Sequence, residues 1–149
     1  MKLTALLEDL EYTCCQGDEN AEVTDVVYDS RKVQKGSLFL CIRGAVVDGH
    51  TFVPDVVKKG AGVLVVEEKV EAPEHVTVIL VKDTRYAMAC ISAAYFGHPA
   101  RRLKTIGVTG TKGKTTTTYM VKSILENAGY RVGLIGTIEA IVGDKVIPA

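Results

Sequence analysis

The stretch Gly107-Val108-Thr109-Gly110-Thr111-Lys112-Gly113-Lys114-Thr115-Thr116 decides how this 149-residue sequence is read. Just before its loop, Thr105 to Val108 has strand character. Just after it, a helix is predicted from about Lys114, with Met120, Val121, Ile124, Leu125 and Ala128 as an apolar stripe and Gly129 as the stop. Val132 to Ile135 is a second strand candidate, so the segment reads strand, loop, helix, strand, which the handedness rule makes a parallel, right-handed crossover. Glycines let the backbone turn tightly and aim several N–H groups at one anion, and the helix start adds roughly half a unit of positive charge. A triphosphate is the natural guest: Lys114 is placed to reach its terminal phosphates, and the Thr115 hydroxyl to ligate a bridging magnesium ion. One departure stands out, because the common phosphate-loop pattern wants glycine where this chain has Val108, and Gly107 is one residue off. The plain alternative is a Gly- and Thr-rich turn with a surface lysine; strand, loop, Gly-Lys-Thr and helix in the required order argue against it.

Upstream, Leu3, Leu6, Leu7 and Leu10 share a helical face, predicting a short helix over Leu3 to Glu11 before a polar stretch, Gln16 to Glu22. Val23 to Tyr28 and Ser37 to Ile42 read as paired strands, separated by Asp29, Ser30, Arg31 and the Lys35-Gly36 turn signal. Phe52 to Lys59 is helical in pattern and ends at Gly60, and Val63 to Val66 and Val76 to Val81 are apolar runs typical of buried strands. Asp83 is placed to cap a helix over Thr84 to Phe96, with Ala87, Cys90, Ile91, Ala94 and Tyr95 on its buried face. Pro99-Ala100-Arg101-Arg102 is polar and helix-breaking, so a linker is expected there, dividing the chain into domains 1–100 and 101–149.

Acidic and basic side chains are equal in number, 18 of each, so composition supplies no electrostatic pull toward nucleic acid or an anionic membrane. No apolar run reaches the roughly 20 residues of a membrane span, and Met1 to Asp9 lacks the pattern of a secretory signal. A cytoplasmic protein acting on small molecules is the expectation. Cys14, Cys15, Cys41 and Cys90 form no Cys-x-x-Cys pair, which argues against a metal cluster; Cys41 and Cys90 are expected as buried free thiols. His75 and His98 fall in loop-like sequence and are expected in solvent. Arg101 and Arg102 are read as a solvated linker.

Thr109-Gly110-Thr111-Lys112-Gly113-Lys114-Thr115-Thr116 resembles the compact phosphate loop of Mur ligases and folylpolyglutamate synthetases, in which asparagine often fills the place of Lys112. Asp29-Ser30-Arg31-x-Val33-x-x-Gly36-x-Leu38-Phe39, followed by Gly44-x-x-x-Asp48-Gly49-His50-x-Phe52, resembles the N-terminal domain of Mur ligases, and the likeness runs through essentially the whole chain. It implies an α/β fold: a small N-terminal α/β domain that holds a UDP-N-acetylmuramoyl substrate, then the start of a phosphate-loop, parallel-sheet ATPase domain. The positions matching the substrate contacts are Tyr28, Ser30 and the turn Gly44, Ala45, Val46 and Val47. Those matching the ATP site are Gly110, Thr111, Lys112, Gly113, Lys114, Thr115 and Thr116, with Lys114 catalytic and Thr115 on Mg2+. In physical terms a hydroxyl and exposed backbone groups after two strands suit a uracil edge or a diphosphate, with Arg31 or Arg43 adding charge. Asp29 and Ser30 are equally ordinary turn formers, and Asp48 and His50 are read as holding their loop together.

Gly136-Thr137-Ile138 and the ending Val142-Gly143-Asp144-Lys145-Val146-Ile147-Pro148 resemble the branch that adds a diamino acid, diaminopimelate or lysine, to UDP-N-acetylmuramoyl-dipeptide. The resemblance implies that ATP phosphorylates the D-glutamyl side-chain carboxylate and that the amine attacks the acyl phosphate. The branch that adds D-alanyl-D-alanine and a non-catalytic binder of UDP-sugar or ATP stay open as alternatives; the Asp29-Ser30-Arg31 segment argues against folate. The chain is expected to be the beginning of a longer, monomeric enzyme and unable to complete ligation alone.

Overall fold

Val63–Val66 is apolar at every position, the pattern of a strand covered on both faces. The computed structural model, which describes residues 1–44 and 47–148, puts it at the centre of a five-stranded sheet. That sheet lies in the first of two units into which the chain divides, Met1–Leu103 and Lys104–Ala149. In chain order the first unit holds α1 (Leu3–Leu6), β1 (Tyr12–Gln16), β2 (Val26–Val27), β3 (Leu38–Leu40), α2 (Val53–Lys58), β4 (Val63–Val66), β5 (Thr77–Val81) and α3 (Thr84–Tyr95). Strand order is β1-β5-β4-β3-β2; β2 to β5 are parallel and β1 runs antiparallel to β5.

Alternation along the strands splits the apolar residues between two cores. Leu38, Leu40, Val63, Val65, Ile79 and Val81 pack with Leu3, Leu6 and Leu7 and with Ala87, Ile91 and Ala94 of α3. Phe39, Cys41, Leu64, Val66 and Val78 pack on the other face with Val53 and Val56 around α2. Each fully buried Val or Leu contributes about 1.5–3 kcal/mol, so the unit is held from both sides of one sheet. Asp83 caps α3 as expected, its carboxylate accepting from the N–H groups of Arg85 (2.8 Å) and Tyr86 (3.0 Å).

Four expectations change here. The first helix stops at Leu6 rather than Glu11, because Tyr12–Gln16 is drawn into the sheet as β1; its half-buried and exposed positions alternate without a matching apolar alternation in sequence. Its register shifts between Cys14 and Gln16, leaving Cys15 exposed at the irregularity. The expected linker Pro99–Arg102 is a 3-10 turn anchored in the first unit: Arg101 pairs with Asp9 at 3.2 Å. His98, at φ 50, is half-buried with its Nε2 2.8 Å from Glu8, not out in solvent. Cys41 is buried as expected, and burial pushes its thiol up to about 12; Cys90 is only half-buried.

The second unit contains α4 (Lys114–Asn127), β6 (Leu134–Ile135), β7 (Glu139–Val142) and β8 (Lys145–Pro148). The strands form an antiparallel sheet in the order β6-β7-β8, with β7 and β8 joined through Gly143 (φ 58) and Asp144. The Tyr119 hydroxyl of α4 donates to Glu139 of β7. Although the α/β class holds, the parallel crossover does not form. Thr105 to Val108 enters no ladder among the described residues, and β6 pairs with its close sequence neighbour β7. The stripe of α4 is half-buried at Val121 and Leu125, but Met120 and Ile124 remain 60% and 65% exposed.

Candidate functional site

Gly113 begins α4 as its N-cap in the left-handed region (φ 75), and no side chain caps the helix. Gly110 has φ 155, so two loop glycines occupy backbone conformations that side-chain-bearing residues avoid. Among the described residues the N–H groups of Thr111, Lys112 and Gly113 donate to no backbone carbonyl. Those of Lys114, Thr115 and Thr116 belong to the first turn, where the helix leaves its donors unpaired. The Lys114 ammonium folds back over the loop and donates to the Gly110 carbonyl at 2.6 Å. The result is an exposed glycine loop at a helix start whose amide donors have no backbone partner, with one cation folded over it, a form suited to an anion with several oxygens. Thr115 is half-buried in that first turn, and its carbonyl accepts from the Thr118 hydroxyl at 2.8 Å.

In the first unit, parallel pairing brings the loops after β2, β3, β4 and β5 to one edge of the sheet, where open α/β sheets bind ligands. Tyr28 and Ser30 follow β2; Tyr28 is 67% exposed, and the Ser30 carbonyl accepts from Lys59 Nζ at 3.0 Å. Lys59 also pairs with Asp55 at 2.7 Å. After β3, the Gly44 N–H donates to the Val47 carbonyl at 2.9 Å, and a Cβ on Gly44 would lie 2.7 Å from that oxygen, so the tight turn excludes other residues. Ala45 and Val46 lie outside the described residues.

The arginines offered as extra charge are already engaged. Arg31 makes two hydrogen bonds to Asp29 (2.9 and 2.8 Å), and they hold the Asp29 carboxyl down to about 2. Arg43 bridges Asp48 and Glu68, both at 3.0 Å. The Asp48 carboxyl is held well below the usual carboxylate range, first by the His50 N–H, then by the His50 ring and Arg43. Asp48, His50 and Glu68 come close enough to suggest a metal site, as do Glu8, Asp9 and His98, but arginine already neutralises a carboxylate in each group. Sequence reading missed Lys59 and Glu67. Glu67, directly after β4, accepts from the N–H (2.8 Å) and hydroxyl (2.7 Å) of Thr84, which lowers its carboxyl. No local pattern announces either residue, because each acts on a segment distant in sequence.

The model of the Mur ligase family's catalytic domain matches residues 22–96, and that of the Mur ligase middle domain matches residues 108–146. The chain belongs to the Mur ligase family. This Mur ligase chain is 48% identical over 149 residues to the UDP-N-acetylmuramoyl-L-alanyl-D-glutamate--2,6-diaminopimelate ligase of Clostridium perfringens, an alignment covering 100% of the chain and 31% of that protein. It thus spans about a third of the length of such curated relatives. A solved structure of a ligase with the same substrate name superposes at a TM-score of 0.75 over 99% of this chain and 30% of its own; at 20% identity this shows the shared fold alone. The MurF ligase of Thermotoga maritima, solved in complex with ADP, aligns at a TM-score of 0.51 and 28% identity over 69% of this chain and 23% of its own. No helix among the described residues is long and apolar enough to cross a membrane.

Proposed function

We propose that this Mur ligase chain is the N-terminal portion of an ATP-dependent ligase that adds diaminopimelate to UDP-N-acetylmuramoyl-L-alanyl-D-glutamate in peptidoglycan synthesis. The observation that carries the reading is the loop Gly110 to Thr116, with two positive-φ glycines, unpaired amides at a helix start, and Lys114 folded across them. Whole-chain identity of 48% to a diaminopimelate ligase supports the choice of substrates over the D-alanyl-D-alanine-adding alternative, and the ADP complex of a MurF ligase supports ATP. The proposal includes a cytoplasmic location for the enzyme.

In this reading the two units divide the task. Tyr28, Ser30 and the Gly44 to Val47 turn hold the UDP-sugar, and Gly110 to Thr116 hold ATP. Lys114 exchanges its hydrogen bond to the Gly110 carbonyl for phosphate oxygens, while the amide N–H groups of Thr111 to Thr116 donate to the remaining phosphate oxygens. The Thr115 hydroxyl, in the first turn of α4, would hold Mg2+, whose charge offsets that of the phosphates. By keeping the phosphate chain fixed, the loop presents the terminal phosphoryl group to the D-glutamyl carboxylate, whose oxygen takes it to form an acyl phosphate as ADP leaves; the diamino acid's amine then attacks the acyl carbon, expels phosphate, loses a proton and forms the amide. Ligation belongs to the whole enzyme, of which this chain matches about a third.

Calorimetry of the chain with Mg-ATP, beside Lys114→Ala, tests the loop. Binding by the parent and loss in the variant are expected; equal affinity of the two would sink the assignment. In the full-length enzyme, amide formation that requires diaminopimelate is expected, and preference for D-alanyl-D-alanine would redirect it.

A further inference from the structure

Val27 and Val33 are buried, and between them residues 28–32 project as the turn that carries Tyr28 and Ser30. Its internal hydrogen bonds are local. The Asp29 carboxylate accepts from the N–H and guanidinium of Arg31, and the Lys32 N–H donates to the Asp29 carbonyl at 2.9 Å. Among the described residues, the hydrogen bond that reaches this turn from another element comes from Lys59, whose Nζ donates to the Ser30 carbonyl at 3.0 Å. Lys59 is itself firmly seated at the end of α2. Its backbone N–H donates to the Asp55 carbonyl at 3.1 Å, its ammonium pairs with the Asp55 carboxylate at 2.7 Å, and the Gly60 carbonyl beyond it accepts from the Gly36 N–H at 2.8 Å. Val53 and Val56 fix α2 in the core. Lys59 thus takes the carbonyl of Ser30 and leaves its hydroxyl, which makes no hydrogen bond to a described residue.

From this arrangement we infer that Lys59 is a positioning residue for the UDP-sugar site, holding the Ser30 peptide so that the free hydroxyl keeps its place for the ligand. The inference rests on the reading of Tyr28 and Ser30 as substrate contacts. The peptide group between Ser30 and Arg31 is planar, and it is gripped at both ends: its carbonyl by the Lys59 ammonium, its N–H by the Asp29 carboxylate. Only the first of these grips ties the turn to another element. Without it the turn rests on Asp29 and Arg31, a lock inside the turn that leaves it free to swing as a unit between Val27 and Val33. Arg31 cannot take over, because its guanidinium is already committed to Asp29. The Lys59 side chain is 39% exposed, so solvent screens its ion pair with Asp55 and little global stability depends on it. What the ammonium supplies is orientation.

Calorimetry of the 149-residue chain with UDP-N-acetylmuramoyl-L-alanyl-D-glutamate tests this in the parent, K59M, K59R and K58M. K59M keeps the aliphatic stem and loses the ammonium, so affinity should fall about fivefold, the scale of one charge-assisted hydrogen bond at a partly exposed site. K59R keeps a cationic donor for a single carbonyl and should return affinity to within about twofold of the parent. K58M removes the neighbouring charge at the same helix end, which makes no bond to Ser30, and should bind as the parent does. In the full-length enzyme K59M should raise KM for the UDP-sugar substrate while kcat and KM for ATP hold; a fall in kcat with KM unmoved would mean a merely structural role and overturn the inference. So would unchanged affinity in K59M, an equal loss in K58M, or no recovery in K59R. If the parent binds no UDP-sugar, the substrate reading fails separately, and the carbonyl carbon resonance of Ser30 decides: displaced in K59M but not in K58M it supports the brace, unmoved in K59M it refutes it.

Discussion

The two units treat apolar sequence in opposite ways. In Met1–Leu103 nearly every apolar strand residue is enclosed, and the two cores share β3, β4 and β5. In Lys104–Ala149 the only buried apolar side chain among the described residues is Leu134, still 6% exposed, while Met120, Ile124, Ile135 and Ile138 stand largely exposed. Yet both units carry helices with clear apolar stripes. The comparison teaches that a stripe records a helix's capacity to be covered, whereas stability depends on whether a partner surface is present. The first unit is built as a scaffold; the second places its glycine loop and free amides on a lightly packed frame.

The sharpest way to break this contrast is a core deletion on each side. Phe39→Ala, at a fully buried position, should cost about 3–5 kcal/mol in denaturant unfolding of the first unit, whereas Ile124→Ala on exposed α4 should change stability by about 0.5 kcal/mol or less. Equal effects would mean that α4 is covered after all. Lys114→Ala in the full-length enzyme should reduce turnover on the order of 10²–10³-fold, as loss of a preorganised charge-stabilising donor does, with melting of the first unit unchanged. Removal of the α3 cap by Asp83→Ala should cost about 1 kcal/mol, read as a lower unfolding midpoint.

The smallest effect expected is an acid-sensitive turn. Asp29 is held at about 2 in the folded chain, chiefly by Arg31, against an ordinary value of about 3.9. Because the folded value is the lower one, the contribution of this turn is present above about pH 4 and disappears as pH falls toward 2. Carbon-detected titration of the Asp29 carboxyl should follow that depressed curve in the parent and the ordinary one in Arg31→Ala.

Legibility also differed between the units. Val63–Val66 was readable to the residue because a strand covered on both faces is apolar throughout, and Asp83 announced α3 because a cap is local chemistry. Strand β1 was missed, since Tyr12–Gln16 lacks apolar alternation and is a strand only because β5 offers it an edge. The hairpin of β7 and β8 was also missed, although Gly143-Asp144 between two short apolar runs is a recognisable turn signal.

By itself the sequence determined the α/β class, the apolar strand runs, and the glycine loop with Lys114 and Thr115, because each is written in neighbouring residues whose local chemistry suffices. Only the tertiary structure decided that β1 pairs with β5, that Ser30 is braced by Lys59, and that His50 ties Asp48 to Glu67. Those contacts join segments through the path of the chain. A hydrogen bond across 17 or 29 positions is set by which surfaces the packed strands and helices bring together, and no local pattern encodes that.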